Sequence, residues 1–368
     1  MESKKSVVVL MSGGVDSSVA AYLLKERGYE VIGVTLKFWK CDNLTQKQKQ
    51  RCCSKEDVYD AKLVAAKLGI KHFVLEIEKE FENRVVKPFC EEYLKGFTPN
   101  PCVVCNKEIK FGLVYKRVSS IFGTDTVATG HYSRKVSCGG RDFIVSAKDK
   151  SKDQSYFLSM IGREVLSNVV FPVGELEKSE VRRIASKLGL RVATKKDSFE
   201  ICFVNDKSYR SFLEIKVGVI ISPGPVVDVQ TGRIVGEHIG CANYTIGQRS
   251  GLKLKGINVR KYVVGIDISR NVIYVGDEND LYESELIAKD IVVYDDDFDR
   301  ELYGKIRYKS ELSPCSVKLE DNILRVRFFT PQRAITPGQY VVVYDNRERV
   351  ICAGKIFSSG KEYEKKFE

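Results

Sequence analysis

The residues best equipped for chemistry come early. Ser12, Gly13, Gly14, Val15, Asp16, Ser17 and Ser18 follow an apolar run at 7–11 and precede a helical pattern. Two adjacent glycines let a backbone turn so tightly that its N–H groups and the next helix N-terminus converge on one spot, and such a spot binds phosphate. The hydroxyls of Ser12, Ser17 and Ser18 add donors, and Asp16 offers a carboxylate for Mg²⁺ or for orienting a base. No lysine follows the glycines as a Walker A loop requires, and there is no G-x-G-x-x-G dinucleotide fingerprint. A serine-capped turn in an ordinary α/β protein is the plain alternative. It leaves the dense run of small and polar residues between strand and helix unexplained.

The second chemical stretch is Thr98-Pro99-Asn100-Pro101-Cys102-Val103-Val104-Cys105-Asn106-Lys107. The prolines around Asn100 predict a rigid, exposed loop, with two thiols directly after it and a helix expected over 108–117. Thiols near a helix N-terminus and beside Lys107 are expected to have lowered pKa values. A single C-x-x-C can be half of a zinc site, a redox pair, or a nucleophilic site that works with a distant third thiol. There is no second C-x-x-C and there are only three histidines, which weakens the zinc reading. The candidate third thiol is Cys202, in Asp197-Ser198-Phe199-Glu200-Ile201-Cys202-Phe203. The remaining cysteines, at positions 41, 52, 53, 90, 138, 241, 315 and 352, have no comparable context and are expected to be structural.

These residues need elements to hold them. Apolar runs at 7–11, 31–36, 72–77 and 126–129 alternate with helical patterns at 15–27 and 56–68, which predicts an α/β domain with a parallel sheet covered on both faces. Ligands of such sheets bind beyond the strands' carboxyl ends, where the loop at 12–18, Leu36 and Gly130-His131 all lie. After about residue 207 the pattern changes to short alternating segments. From 285 onward it is almost wholly β, with expected strands at 291–294, 305–308, 315–319, 324–329, 340–344 and 350–356, which predicts a small antiparallel barrel. The expected domains are therefore 1–206, catalytic; 207–284, a small mainly-β adaptor; and 285–368, the barrel.

At 368 residues the chain exceeds a usual single core. No apolar run approaches a membrane span, and Met1-Glu2-Ser3-Lys4-Lys5 passes straight into a strand without room for a signal peptide, so a cytoplasmic protein is expected. Eleven cysteines without a secretory signal speak against a disulfide scaffold. A formal charge of +11, spread along the chain, suits a polyanionic partner. The charged end at 365–368 is expected to be solvated.

The S-G-G-x-D-S loop resembles that of the ATP pyrophosphatases, which hold the pyrophosphate of ATP while AMP is transferred. With the 98–107 stretch, Ala128-Thr129-Gly130-His131-Tyr132, Lys152-Asp153-Gln154-Ser155-Tyr156-Phe157-Leu158, Phe171-Pro172-Val173-Gly174-Glu175-Leu176, Asp197-Ser198, Ile201-Cys202-Phe203, Tyr244-Thr245-Ile246-Gly247-Gln248-Arg249 and Thr336-Pro337-Gly338-Gln339, the whole chain resembles the tRNA-specific 2-thiouridylases of bacteria and organelles. The resemblance implies ATP-dependent adenylation of the C2 oxygen of a wobble uridine in tRNAs for Lys, Glu and Gln. Sulfur would then come from a persulfide on Cys202, with Cys105 as the thiol that helps release sulfide from it or traps it as a disulfide, and with Asp16 as a further catalytic residue. It implies ATP contacts at Leu10, Met11, Ser12, Gly13, Gly14, Val15, Asp16, Ser17, Leu36 and Gly130. Contacts to the anticodon stem-loop are implied at Asn100, Pro101, Cys102, His131, Lys152, Asp153, Gln154, Arg307, Tyr308 and Gln339. Cofactors would be ATP and Mg²⁺, the sulfur donor a cysteine desulfurase or relay protein, and the enzyme a monomer. Cys102 keeps a second mechanism open, a [4Fe–4S] cluster on Cys102, Cys105 and Cys202. Another AMP-forming ligase and a catalytically silent tRNA-binding protein are the rival classes. The first would not need the thiols, and the second would not need the 12–18 loop.

Overall fold

In a computed structural model the described residues are 5–38, 55–197, 201–204, 212–213, 222–254 and 260–360. Cys41, Cys52, Cys53, Ser198, Phe199, Glu200, the first four residues and the charged end lie outside them. The chain forms two compact units. One contains the N-terminal stretch to Val85, Cys102–Asn205 and the short turn Arg347–Val350. The other contains Val86–Pro101, Asp206–Asn346 and Ile351–Glu368.

The first unit is built on β1 (Ser6–Leu10), β2 (Glu30–Lys37), β3 (Lys71–Glu76), β4 (Val127–Thr129), the hairpin β5 (Arg134–Cys138) and β6 (Arg141–Val145), and β7 (Val169–Val170). Five of them form a parallel sheet in the order β3-β2-β1-β4-β7. Val7, Val8 and Val9 of β1 are fully buried, as a central strand covered on both faces demands. Helices α1 (Val15–Glu26) and α2 (Lys55–Leu68) put Val19, Ala20, Leu24, Ala61, Val64 and Leu68 into the same core as Val7 and Val9. The chain builds outward from β1 to β2 and β3, then returns to lay β4 on β1's other side. The carboxyl ends of β1 and β4 therefore flank a topological switch point, where open α/β sheets bind ligands. The strands expected from the sequence in this unit and the helices expected at 15–27 and 56–68 are present, with ends moved by one or two residues, whereas the helix expected over 108–117 is part of a longer helical stretch from Pro101 to Phe122.

The second unit carries a four-stranded sheet and a barrel. β8 (Gly224–Asp228), β9 (Ile234–His238), β10 (Tyr262–Asp267) and β11 (Val272–Gly276) are ordered β10-β11-β8-β9, with β11 and β8 parallel. Its interior is Val226, Cys241, Tyr244, Val263, Ile273 and Val275. The barrel closes through β12 (Tyr282–Val293), β13 (Leu302–Lys305), β14 (Ser313–Glu320), β15 (Ile323–Arg333), β16 (Tyr340–Asp345) and β17 (Val350–Ser359). The expected strand at 305–308 is corrected. The strand is Leu302–Lys305, and Arg307 and Tyr308 lie in the following turn. That turn closes because Arg307 O accepts from both Ser310 N (3.1 Å) and Ser310 Oγ (2.8 Å), which ends the ladder. Among the described residues no helix is long and apolar enough to cross a membrane.

Candidate active site

β1 ends at Leu10, and the chain turns through Ser12–Gly14 into α1. Gly13 has φ +73°, a left-handed conformation, and a Cβ there would lie 2.2 Å from Asp57 O in α2. Gly130, just after β4, is equally constrained, since its Cβ would lie 2.4 Å from Ser17 N. Glycine at both places lets α1, α2 and the end of β4 close around one loop. Inside it Ser17 Oγ accepts from Ser12 N at 3.1 Å, and the Ser17 and Ser18 hydroxyls donate to Gly14 O at 3.2 and 2.8 Å. Leu36 lies near the end of β2, so Leu10, Met11, Ser12, Gly13, Gly14, Leu36 and Gly130 belong to the strand ends and the loops that follow them in one parallel sheet, and Val15, Asp16 and Ser17 to the first turn of α1.

Asp16 is held from two sides. Lys178 Nζ donates to its two carboxylate oxygens at 2.7 and 2.8 Å, and the Tyr132 hydroxyl donates to Oδ1 at 2.8 Å. Burial and the Asp16 charge push the Tyr132 phenol far up, so it stays a donor. Lys178 also reaches Asp197 at 2.8 Å, and Lys152 and Arg182 pair with the same carboxylate at 2.9 Å each. Burial works against the charge of Asp197, but the bonds from Lys178 and Lys152 outweigh it and hold its pKa below the usual range. Lys195 donates to Gly13 O (3.0 Å), Asp57 (2.6 Å) and Asp60 (2.8 Å). Its burial disfavours the cation, yet the two carboxylates raise its pKa overall.

Lys178, Tyr132, Asp197, Lys195 and Arg182 were not among the residues expected at the site. A sequence signal exists for Lys178. It occupies the first turn of the helix Lys178–Lys187, behind a Glu177/Glu180 capping box, where a cation opposes the helix dipole and needs a carboxylate partner. Of the residues around it, Lys152 is ion-paired as described. The buried carboxylate of Asp153 accepts from Ala147 N, Ser155 N and Ser155 Oγ. Gln154 Oε1 accepts from Tyr132 N at 2.9 Å and so braces the Asp16 partner.

The thiol pair begins a long helical stretch, 101–122. It opens with Pro101–Val104, widens into an i→i+5-bonded segment Cys105–Val114 and ends with Tyr115–Phe122. The wide winding brings residue i+5 beside residue i and so sets Lys110 beside Cys105; Lys110, not Lys107, is also the cation that acts on Cys102. The lowered pKa expected for these thiols is corrected. Cys102 reaches solvent and Cys105 is half-buried, but the protein crowding their sulfurs outweighs Lys110. Desolvation raises Cys102 and pushes Cys105 up to about 11. His131 stands in the same cluster, with Nδ1 2.8 Å from Thr129 Oγ1 and Nε2 3.4 Å from Lys110 Nζ. Burial, aided by Lys110, lowers its pKa well below 6.5, so it is a neutral ring. Asn106 is buried beside Cys105. Its Nδ2 donates to Phe157 O at 2.9 Å, and its Oδ1 has no partner among the described residues.

Cys202 is exposed, in a turn whose next residue, Phe203, meets Phe81 edge-on at 5.8 Å. Among the described residues no three of His, Cys, Asp and Glu are gathered so as to hold a metal. Cys102, Cys105 and Cys202 as arranged thus do not fit a cluster that needs three converging thiolates.

In the second unit, Gln339 Nε2 donates to Thr98 O (2.8 Å) and Thr98 N donates to Pro337 O (2.8 Å). The turn at 336–339 thus fastens the loop that carries Asn100 and Pro101. Arg307 and Tyr308 lie in the turn after β13, with Lys305 Nζ 5.8 Å from the Tyr308 ring centre.

Residues 5–206 match a family model described as the tRNA methyl transferase HUP domain, 210–277 the tRNA methyl transferase PRC-barrel domain, and 283–356 the aminomethyltransferase beta-barrel domain. A tRNA-specific 2-thiouridylase MnmA of Acetivibrio thermocellus is 46% identical over 352 residues, 93% of this chain and 97% of that protein. One named tRNA-specific 2-thiouridylase MnmA 2, from Caldanaerobacter subterraneus subsp. tengcongensis, is 46% identical over 354 residues, 94% of this chain and 96% of that protein. The Clostridium acetobutylicum protein named tRNA-specific 2-thiouridylase MnmA is 42% identical over 345 residues, covering 93% and 96%. A chain matched along nearly its whole length by such relatives, and folded as a parallel-sheet domain with a glycine-turned loop at its switch point, belongs to the tRNA-specific 2-thiouridylase family.

Proposed function

We propose that this chain is an ATP-dependent tRNA-uridine 2-sulfurtransferase that adenylates the C2 oxygen of the wobble uridine and replaces that oxygen with sulfur. The observation that carries the reading is the Ser12–Ser18 loop at the β1/β4 switch point, a glycine turn that runs straight into the N-terminus of α1 without a Walker lysine, the place where a parallel sheet of this kind takes a pyrophosphate. An amide-like carbonyl is a poor electrophile until its oxygen is esterified, so ATP is used to make AMP the leaving group. The loop offers one carboxylate, Asp16, to the Mg²⁺ that accompanies ATP, and that ion would offset phosphate charge. Leu36 and Gly130 flank the nucleotide through their backbones.

Sulfur arrives as a persulfide on Cys202, loaded by a cysteine desulfurase or a relay protein. The Cys105 thiolate attacks Cys202 Sγ and breaks the S–S bond, forming a Cys105–Cys202 disulfide and releasing hydrosulfide. The hydrosulfide attacks C2, and AMP departs with the former carbonyl oxygen. A reductant must then restore the two thiols before the next turnover. Asn100, Pro101 and Cys102 face the flipped base, and His131 meets it as a neutral ring. Lys152, Gln154, Arg307, Tyr308 and Gln339 belong to the anticodon stem-loop contact, and Asp153 supports it from within the fold. The substrates are tRNAs for Lys, Glu and Gln, the working unit is a monomer, and the domains are 1–206, 207–284 and 285–368.

The test is mass spectrometry of tRNA nucleosides after incubation with ATP, Mg²⁺ and a persulfide donor under reducing conditions. 2-Thiouridine and one pyrophosphate per thiolation are expected; their absence would overturn the assignment. Cys202→Ser should abolish thiolation while leaving tRNA-dependent pyrophosphate release. An amide-forming ligase would keep its full activity in that variant.

A further inference from the structure

The peptide that leads from β1 into the nucleotide loop joins Met11 to Ser12, and both of its polar groups are held. Its carbonyl, Met11 O, accepts from Thr35 Oγ1 at 2.8 Å, and its N–H, on Ser12, donates to Ser17 Oγ at 3.1 Å. Ser17 Oγ in turn donates to Gly14 O at 3.2 Å, so the loop's internal bonds start from the orientation of that one peptide. Thr35 is a buried residue of β2, and its hydroxyl has a second partner, His72 Nε2 of β3, also at 2.8 Å. A hydroxyl has one proton, and Thr35 gives it to Met11 O, so His72 must donate through an Nε2–H. Burial, aided by Lys62, lowers the His72 pKa, so the ring is neutral and its one N–H is committed to Thr35. The strands leave room for this. Gly33 of β2 pairs with His72, and a Cβ there would lie 2.7 Å from Met11 Sδ and 3.2 Å from His72 Cδ2. Glycine at 33 leaves that space to the ring and the thioether. A relay therefore runs from His72 of β3 through Thr35 of β2 to the peptide at the mouth of the loop.

We infer that Thr35 and His72 are positioning residues for ATP, whose relay locks the Met11–Ser12 peptide in the orientation that prepares the Ser12–Ser18 loop for a triphosphate. His72 acts through Thr35, and Thr35 acts through the Met11 carbonyl. A peptide whose carbonyl loses its holder is free to rotate, and Ser12 N–H then leaves Ser17 Oγ. The loop must in that case be ordered at the moment of binding, which weakens nucleotide affinity and leaves the chemical step alone. The inference rests on the reading of the loop as the ATP site.

The experiment measures, in the full chain, the Kd of α,β-methylene-ATP by calorimetry and the KM for ATP and kcat of tRNA thiolation. Thr35→Val keeps the side chain's shape and removes the hydroxyl. It should raise both Kd and KM about fivefold, the effect of one buried hydrogen bond, with kcat unchanged. Thr35→Ser should restore wild-type binding. His72→Leu should weaken binding too, and the double variant should bind no worse than Thr35→Val alone, because His72 acts only through the hydroxyl. Wild-type affinity in Thr35→Val would overturn the inference, as would losses that add in the double variant or a loss confined to kcat. In the wild-type chain ¹⁵N-histidine NMR, with His72→Gln to identify the signal, should show His72 as the Nε2–H tautomer and a shift when the analogue binds. An Nδ1–H tautomer, or an unmoved signal with the analogue demonstrably bound, would overturn the inference even where Thr35→Val does not fold. Failure of the analogue to bind the wild-type chain would overturn the ATP reading instead.

Discussion

The thiol chemistry turns on the surroundings of single sulfurs. Cys105 is pushed up to about 11 by desolvation, so at neutral pH the resting chain holds it as a thiol. Only the thiolate is a nucleophile, so its alkylation should climb about tenfold per pH unit from 7 to 10, levelling off only near 11. A plateau near pH 8, read by peptide mass spectrometry, would contradict this. Among the described residues Lys110 is the cation that lowers both thiols, and it also lowers His131. Lys110→Met should therefore slow alkylation of Cys102 and Cys105 at any fixed pH below 10 and raise the His131 pKa, which an NMR titration would follow. The sequence set these cysteines beside Lys107, whereas the cation that acts on both is Lys110. An α-helical count puts no neighbour at i+5, and only the wide winding of Cys105–Val114 does so.

At the scale of elements, the nucleotide loop depends on two close approaches. Gly13→Ala would force a left-handed φ on a residue with a Cβ and drive that carbon into Asp57 O; Gly130→Ala would strike the backbone of α1 at Ser17. Strained backbone alone costs on the order of 1–3 kcal/mol, and here the clash is added to it. Both variants should lose several degrees of Tm and at least tenfold in ATP-analogue affinity, Gly130→Ala chiefly in affinity because its obstacle is the loop's own helix. Normal binding by either variant would show that the loop tolerates more space than its packing indicates. The barrel has a comparable dependence on a local turn: the hydroxyl of Ser310 stops β13 at Lys305 and places Arg307 and Tyr308 outside the ladder. Alternation of apolar residues extends through that turn, which is why the sequence pattern put the strand there.

At the scale of the whole chain, folding of the second unit includes an ion group with little access to water. Lys261 and Asp228 pair at 2.7 Å with side chains 6% and 4% exposed, and Lys261 reaches Asp277 at 3.1 Å. Removing one partner of a buried pair leaves an uncompensated charge, so Lys261→Met should destabilise by about 3 kcal/mol or more at pH 7, measured by urea unfolding. Burial raises the Asp228 pKa, but Lys261 and the backbone bonds of Thr231 and Gln230 more than reverse that, leaving it below 3.8 when folded. A depressed carboxylate stabilises fully above its unfolded pKa and loses that contribution as pH falls through the folded one. The wild-type chain should thus lose this share of stability only below about pH 4, and Asp228→Asn should flatten the stability curve in that acid range. An unaltered acid limb would remove Asp228 from the explanation.

The sequence by itself determined the elements and the class of chemistry. Strand and helix patterns follow from burial period, and the glycine-serine loop and the Thr98–Lys107 stretch stand out by residue type and spacing within short windows, while Cys202 is a candidate thiol whose role comes from the family resemblance. What only the tertiary structure decided is which charges face one another. Asp16 meets Lys178 across 162 residues and Tyr132 across 116, and Lys195 meets Asp57 across 138. No local pattern encodes such pairs, because electrostatic partners are chosen by distance in space and by the low dielectric of a packed site. The same packing raised the pKa of the thiols that their neighbours in sequence were expected to lower, since desolvation depends on everything around a sulfur and the chain sequence reveals only what lies along one line.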